Sequence, residues 1–174
     1  MTIAIYPGSF DPIHFGHVDI TRRAAKLFDH VYFAVYAKPN KRLLFSAEER
    51  VALAREALAD LENVTVLAYH ELTVTLARRL GAQVIVRGLR AISDFEWELQ
   101  LALTNRELAP EIEVVCLMTR IEFAFLSSTI VKEVASLGGD IEKMVPPQVA
   151  RALRERFPVP PAQAISGERE GGAR

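Results

Sequence analysis

The sequence predicts an α/β fold, a single domain built on a doubly wound, five-stranded parallel sheet. Five short runs rich in β-branched and aromatic residues recur along the chain, and a helical pattern follows each of them. Strands that alternate with helices in this way form parallel sheets with right-handed crossovers. Half of the 174 residues are hydrophobic and a quarter are charged, which is typical of a globular domain that buries its own core.

The first half of the chain contains three strand-and-helix units. The predicted strands span 3–6, 31–37 and 64–68, and the predicted helices that follow them span 17–28, 46–63 and 70–80. Pro7 and Gly8 should end the first strand, because proline offers no ladder donor and glycine tolerates unusual backbone angles. A capping box of Ser46 and Glu49 opens the second helix. Gly81 ends the third helix, since glycine readily adopts the left-handed conformation at such ends.

The second half contains the remaining strands and helices. The strands span 83–86 and 112–118, and the helices span 93–108, 130–137 and 146–157. A second capping box, Ser93 with Glu96, opens the long helix, and Pro110 stops it. The domain should therefore occupy 1–157. The remaining stretch, 158–174, is rich in proline, glycine and charge, so we predict a disordered tail there.

The turn after the first strand, PGSFDPIHFGH, carries the groups most suited to chemistry. Ser9 offers a hydroxyl, His14 and His17 offer imidazoles, and Gly16 lets a ligand approach the backbone. The start of the helix adds free N–H groups and partial positive charge, which suit a phosphate. The spacing alone leaves two interpretations open, a phosphate site and ordinary histidines. No cysteine cluster or HExxH motif is present, so we assign no protein ligands to a metal.

Other strand ends also carry groups that suit an anion. Lys38, Lys41 and Arg42 follow the second strand, and Arg87 and Arg90 follow the fourth. The carboxyl ends of parallel strands meet at one edge of the sheet, so these side chains can face the same crevice as the histidines. Guanidinium groups suit phosphate because they offer several donors in one plane.

Composition excludes several classes of function. The net charge of −1 gives no electrostatic case for nucleic acid or for an acidic membrane surface. No apolar run is long enough to span a membrane, and the N-terminus lacks a signal-peptide pattern. The single cysteine, Cys116, lies in an apolar run and is predicted to be a buried hydrophobe. We expect a cytoplasmic protein.

The long helix at 93–108 has apolar residues on more than one face. A helix of this kind must bury more than one face, and in a small domain a second subunit is the expected cover. We therefore expect a homo-oligomer.

Four segments together resemble one enzyme family. GSFDPIHFGH resembles the (T/H)xGH signature of the nucleotidyltransferase superfamily, which has a Rossmann-like fold. The segments KPNKRLLFSAEER, VRGLRAISDFEWELQLALTNREL and FAFLSSTIVKEVA are similar, in order and spacing, to those of the phosphopantetheine adenylyltransferases. The resemblance covers about residues 1–157 and implies a homohexamer.

The resemblance also implies an activity and its residues. The activity is transfer of AMP from ATP to 4'-phosphopantetheine, which gives dephospho-coenzyme A and pyrophosphate. The implied catalytic residues are His17, Lys41 and Arg90. The residues implied to contact the acceptor are Ser9, Lys41, Thr73 and Arg87. The implied ATP-binding residues are Ser9, Phe10, His14, His17, Gly88, Leu89, Arg90, Glu98, Phe123, Ala124, Phe125, Leu126, Ser127, Ser128 and Thr129.

We expect direct in-line displacement, because the sequence offers no obvious nucleophile for a covalent intermediate. Mg²⁺ would bridge the phosphates and be held largely by the substrate. Nicotinamide mononucleotide adenylyltransferases and cytidylyltransferases share HxGH, but the KPNKR loop and the RGLRAISDFEWE segment favour the phosphopantetheine enzymes. Class I aminoacyl-tRNA synthetases have a similar motif, yet this chain has no KMSKS-like loop. A non-catalytic ATP sensor on the same fold is the alternative from another class.

Overall fold

A parallel sheet of five strands forms the centre of the protein. The computed structural model describes residues 1–40, 42–90 and 92–158, with only the backbone at 92 and 93. The strands are β1 (Ile3–Gly8), β2 (His30–Tyr36), β3 (Val64–Tyr69), β4 (Val84–Leu89) and β5 (Glu113–Met118). Their order across the sheet is β3-β2-β1-β4-β5. The order reverses beside β1, as in doubly wound folds, so the predicted fold class is confirmed.

Helices cover both faces of the sheet in the described part of the chain. They are α1 (Phe15–Leu27), α2 (Ala47–Ala57), α3 (Thr73–Leu80), α4 (Ile92–Leu108), α5 (Ser128–Ser136) and α6 (Pro147–Arg156), with a 3₁₀ turn at Ile121–Phe123. Alternate residues of the strands enter two buried apolar clusters: Ala4 and Val86 belong to one, Ile5 and Ile85 to the other. The predicted left-handed Gly81 is confirmed, with φ 67° at the end of α3.

The sheet splits between β1 and β4 towards its carboxyl edge. Two register pairs, Ala4 with Val84 and Ile5 with Ile85, join these strands. β1 stays paired with β2, and β4 with β5, along their whole lengths. The two halves of the sheet therefore diverge beyond Ile5 and Ile85. This divergence opens a crevice at the point where the strand order reverses, the usual ligand site of open α/β sheets.

Both strands at the crevice run further than the sequence predicts. β1 includes Pro7 and Gly8, which we expected to end it, and β4 continues through Arg87 to Leu89. The carbonyl of Pro7 accepts a hydrogen bond from Nη1 of Arg87 at 3.0 Å, so this carbonyl points towards β4. The ladder with β4 has already ended there, and the missing N–H of proline removes no ladder bond.

The predicted N-cap at Ser93 is wrong. α4 includes Ile92, so Ser93 lies inside the helix. Asp94 folds back towards the preceding strand end, and its carboxylate accepts the backbone N–H of Arg90 at 3.2 Å. An acidic side chain in the first turn thus satisfies a backbone donor that precedes the helix.

The outer face of α4 and one face of β5 are uncovered in the single chain. Phe95, Leu99 and Leu103 form this outer face of α4, and Trp97 and Leu108 are exposed on another side of the helix. Cys116 is also exposed, so the prediction of a buried cysteine is wrong: β5 is the edge strand, and little of the chain covers its outer side. Within the described ranges, we find no helix that is both long and apolar enough to cross a membrane.

Candidate active site

The crevice between β1 and β4 holds a pocket of about 420 Å³. Its wall is formed by the turn after β1, the start of α1, the end of β4, the first turns of α4 and the start of α5. The predicted site residues in the wall are Ser9, Phe10, His14, His17, Arg87, Gly88, Arg90, Glu98, Phe123, Ser127, Ser128 and Thr129. The structure thus brings most of the predicted ATP-binding residues to one place.

The other predicted residues lie elsewhere. Leu89, Ala124, Phe125 and Leu126 belong to the same segments but not to the pocket wall. Leu126 is fully buried, and its carbonyl accepts Nη1 of Arg90 at 2.8 Å, so it acts on the site through Arg90. Lys41 lies outside the described residues.

His14 and His17 stack on each other at the start of α1, with ring centroids 3.6 Å apart. His14 is the N-cap residue, and its backbone N–H donates to Nδ1 of His17 at 3.2 Å. Since Nδ1 accepts this bond, a neutral His17 ring carries its hydrogen on Nε2. A Cβ atom on Gly16 would come within 3.0 Å of the His14 ring. The stacked pair therefore requires glycine between the two histidines.

Burial keeps the imidazole of His14 neutral. The residue is 4% exposed. Desolvation, reinforced by the positive charge of Arg90, lowers its pKa from 6.5 to about 3. Its Nδ1 atom is buried and has no hydrogen-bond partner among the described residues. A neutral ring in the pocket wall suits a polar ligand, because its unpaired nitrogen would gain a partner.

Arg87 is held by a bidentate ion pair at the end of β4. Its Nε and Nη2 atoms donate to the two oxygens of Glu98 at 2.6 and 2.7 Å, and Nη1 donates to the carbonyl of Pro7. Burial lowers the pKa of Arg87, but the bonds to Glu98 outweigh it, and the net pKa is raised. The sequence predicts Glu98 to line the ATP site, and the structure adds that it orients Arg87.

Arg90 is held in the same manner, by the carboxylate of Asp94, which lies one helical turn before Glu98 on α4. Its Nε atom donates to Asp94 at 3.0 Å, and Nη1 donates to the carbonyl of Leu126. Asp94 and Glu98 are four residues apart on α4, so they project from the same face of the helix. One helix thereby orients both arginines of the Arg87-Gly88-Leu89-Arg90 segment.

The start of α5 presents hydroxyl groups and backbone donors to the pocket. Ser127 is the N-cap, and its Oγ atom accepts the N–H of Ile130 at 3.1 Å. The Ser128 hydroxyl donates to the carbonyl of Pro12 at 2.8 Å, which joins α5 to the turn after β1. The N-terminus of this helix adds partial positive charge and suits an anion.

A second, smaller cavity of about 70 Å³ adjoins the pocket. The two cavities share Pro7, Arg87 and Glu98 in their walls. Thr73, predicted to contact the acceptor, lines the smaller cavity, and its hydroxyl lies 3.1 Å from that of Tyr69. The rest of this wall is largely apolar and includes Leu101. The arrangement offers a polar pocket and an apolar extension on either side of one ion pair.

Sequence analysis missed several residues of the pocket wall, among them Tyr6, Asp94, Trp97 and Thr119. Asp94 could have been found from its spacing. It lies four residues before Glu98 in the predicted helix, and residues at this separation share one face of a helix. Tyr6 gave no such signal, because an aromatic residue in an apolar strand is usually a core residue.

The fold and the pocket define a nucleotidyltransferase, and the comparisons with known proteins agree. Residues 5–134 match the family model described as cytidylyltransferase-like. A solved structure from Vibrio parahaemolyticus, named as a nicotinate-nucleotide adenylyltransferase, has the same fold. Its TM-score is 0.69 at 20% identity, over 88% of this chain and 99% of that chain.

Sequence relatives narrow the class to one family. Phosphopantetheine adenylyltransferases from Chloroflexus aggregans and a Synechococcus species are each 57% identical over 157 residues, which is 90% of this chain and 98% and 99% of theirs. The relative from Gloeobacter violaceus is 56% identical over 155 residues, with 89% of this chain and 96% of the relative covered. The chain belongs to the phosphopantetheine adenylyltransferase family.

The buried neutral His14 predicts acid sensitivity at pH values where carboxylates are still ionised. Unfolding exposes the ring and restores an ordinary pKa near 6.5, so below that pH the unfolded chain binds a proton that the folded chain does not. Stability should therefore fall by about 1 kcal/mol between pH 7 and pH 5.5 from this group. Urea unfolding at both pH values measures the change.

Two variants distinguish this source from others. His14→Asn, which keeps a good N-cap, should lose most of that pH dependence, whereas His70→Asn, at an exposed histidine, should retain it. An unchanged pH dependence in His14→Asn would contradict the assignment.

Proposed function

We propose that the protein transfers AMP from ATP to 4'-phosphopantetheine, which gives dephospho-coenzyme A and pyrophosphate. One observation carries the proposal: the polar pocket and its apolar extension meet at the Arg87–Glu98 ion pair. Such an arrangement suits two ligands, a triphosphate in the larger cavity and an acceptor whose phosphate meets it at the junction. The names and high identity of the relatives support the same reaction.

The reaction is a direct displacement at the α-phosphorus of ATP. A phosphate oxygen of 4'-phosphopantetheine forms a bond to this phosphorus, the bond to the β-phosphate oxygen breaks, and pyrophosphate leaves with the electron pair. Such a displacement needs alignment and charge stabilisation more than covalent catalysis. His17 supplies the stabilisation: its Nε2–H donates to the α-phosphate as negative charge builds there. The stacked His14 keeps the His17 ring in place.

Different residues bind the outer phosphates of ATP and the phosphate of the acceptor. Arg90 and the start of α5, Ser127 to Thr129, bind the β- and γ-phosphates. Arg87 binds the acceptor phosphate, together with Ser9 and, by family resemblance, Lys41. Glu98 and Pro7 accept three of the five guanidinium N–H groups of Arg87. The other two N–H groups of Arg87 are held in the plane of the same rigid guanidinium and are available to oxygens of a phosphate.

Mg²⁺ accompanies ATP in this proposal and neutralises part of the phosphate charge. The pocket fits an ion carried by the substrate. Its two carboxylates, Asp94 and Glu98, are each bonded to an arginine. Among the described residues, no group of three or more potential ligands lies together to hold a metal.

The protein assembles as a homo-oligomer through the uncovered face of α4, and by family resemblance as a homohexamer. Phe95, Leu99 and Leu103 share this face, and their exposed fractions are 52%, 44% and 58%. A second copy would remove this surface from water. We place the protein in the cytoplasm, where coenzyme A synthesis and a free cysteine are both expected.

Pyrophosphate release from ATP and Mg²⁺ tests the reaction. Three reactions are compared, one with 4'-phosphopantetheine as the acceptor, one with nicotinamide mononucleotide and one with no acceptor. ATP binding is measured in parallel. We expect release with 4'-phosphopantetheine alone. Release with the mononucleotide alone would overturn the acceptor site but retain the class of reaction. ATP binding without release in any arm would favour an ATP sensor.

His17→Ala tests the role of the imidazole. The bond from Nε2 to the α-phosphate strengthens in the transition state, so kcat should fall by about 10²–10³-fold while the Kd for ATP changes little. Steady-state kinetics and calorimetry measure the two quantities. His70→Ala, at an exposed site outside the pocket, is the control and should retain activity. An equal loss of kcat and ATP affinity would instead make His17 a ground-state ligand.

Leu103→Glu tests the assembly. A carboxylate on the uncovered face of α4 would have to be desolvated on association, so the oligomer should dissociate to smaller species. Light scattering after size-exclusion chromatography measures the mass. Leu27→Glu is the matched control, because Leu27 is 63% exposed at the end of α1. The same mass for the wild-type protein and the Leu103 variant would exclude this face as the interface.

A further inference from the structure

Arg50, on the first turns of α2, is a buried arginine that the reaction above does not use. It is 1% exposed, and its guanidinium donates to backbone carbonyls in separate parts of the chain. The acceptors are Ser9 at 2.7 Å, Tyr36 at 2.8 Å, and Ala37, Phe45 and Ser46 at 3.2 Å each. No carboxylate lies within ion-pair distance of it among the described residues.

One of these carbonyls belongs to Ser9, which lines the pocket, and the others belong to the end of β2 and to the loop that follows it. Ser9 lies in the turn after β1. Ala37 and Phe45 are the two ends of the loop that joins β2 to α2, the loop that carries the basic residues of the KPNKR stretch. One planar group thus ties both ends of the loop to the turn. A guanidinium can do this because it offers five donors in a fixed fork.

Asp11 secures the same junction from the other side. Its carboxylate accepts the backbone N–H groups of Leu44 and Phe45, each at 2.9 Å, and Nζ of Lys132 at 2.6 Å. Burial raises the pKa of Asp11, but the bonds from Lys132 and the two amides outweigh it and lower the net pKa. Lys132 lies on α5, so Asp11 joins the turn, the loop and the helix that starts at Ser128.

We infer that Arg50 is a positioning residue for the acceptor phosphate, assisted by Asp11. It sets the separation between the turn that carries Ser9 and the loop that carries the basic residues. This inference rests on the proposed function for the identity of the acceptor. Arg50 makes no hydrogen bond to β4, α4 or α5, which carry the groups proposed for the β- and γ-phosphates. Its one bond to the turn is to Ser9, which the family resemblance assigns to both substrates, and its other bonds hold only the loop on the acceptor side. Its loss should therefore act on the acceptor more than on ATP.

Arg50→Lys provides the test. Lysine keeps the charge but replaces the planar fork by one ammonium, which cannot reach carbonyls on both segments. We expect the KM for 4'-phosphopantetheine to rise at least about tenfold, and the KM for ATP to change by less than about threefold. Arg55→Lys is the matched control, because Arg55 lies on the same helix and donates to the carbonyl of Val66 on β3, away from the pocket.

Hydrogen exchange provides a readout that is independent of activity. In Arg50→Lys, amide exchange should accelerate in peptides that cover residues 8–12 and 36–46 and stay unchanged in β4 and α4. Asp11→Asn retains an acceptor for the loop amides but loses Lys132, and should give the same pattern. It replaces Arg50→Lys as the test if the lysine variant does not fold.

The outcomes separate the inference from the proposed function. A rise in the KM for the acceptor, together with faster amide exchange confined to residues 8–12 and 36–46, supports the positioning role. Equal changes for both substrates, or exchange that accelerates throughout the sheet, would reduce Arg50 to a stabilising residue and overturn the inference. A wild-type enzyme that does not turn over 4'-phosphopantetheine would refute the proposed function. In that case local exchange would still report whether Arg50 ties the loop to the turn.

Discussion

The divergence of β1 and β4 is the constraint on which the site depends. Two register pairs hold these strands together, and beyond them each strand stays paired only with its outer neighbour. The backbone of Pro7 then faces Arg87 instead of a ladder partner. The gap admits a ligand between two otherwise continuous halves of a sheet. Among the described residues, the groups proposed for the triphosphate and for the transferred phosphate line the pocket in this gap, so the divergence of the two strands determines where these side chains can meet a ligand.

The charged groups of the pocket wall are paired so that Arg87 and Arg90 already have a defined orientation. Arg87 and Arg90 are held by carboxylates one turn apart on α4, and Asp11 is held by Lys132. Their partners occupy part of each guanidinium fork and leave the rest to the ligand. A preorganised site of this kind needs little rearrangement when charge develops in the transition state. The cost falls on the pairs Arg87–Glu98 and Lys132–Asp11, because the carboxylate of each is largely buried and would be left unpaired if the cation were removed.

Most local parts of this structure could be predicted from the sequence, apart from the end of β1 and the start of α4, and the non-local parts could not. Strand periodicity, the Ser46 capping box and Gly81 depend on neighbouring residues, and all agree with the structure. So does the start of α1 beside His17. Cys116 was misassigned because its exposure depends on β5 being the edge strand, which follows from strand order alone. The Arg87–Glu98 pair likewise required the orientation of α4 relative to β4, which no periodicity encodes.

The wall shared by the two cavities has a consequence for inhibitor design. Pro7, Arg87 and Glu98 border both spaces, so a molecule that occupies both must pass directly over one ion pair. A neutral, apolar linker at this point would cover the remaining donors of Arg87 and leave them unpaired, at a penalty of about 1–3 kcal/mol for each buried group. A linker that carries a hydrogen-bond acceptor at its midpoint would avoid this penalty. Selectivity for this enzyme would then come from the apolar extension beside Thr73, because a ligand confined to the larger cavity would contact only groups that suit phosphates in general.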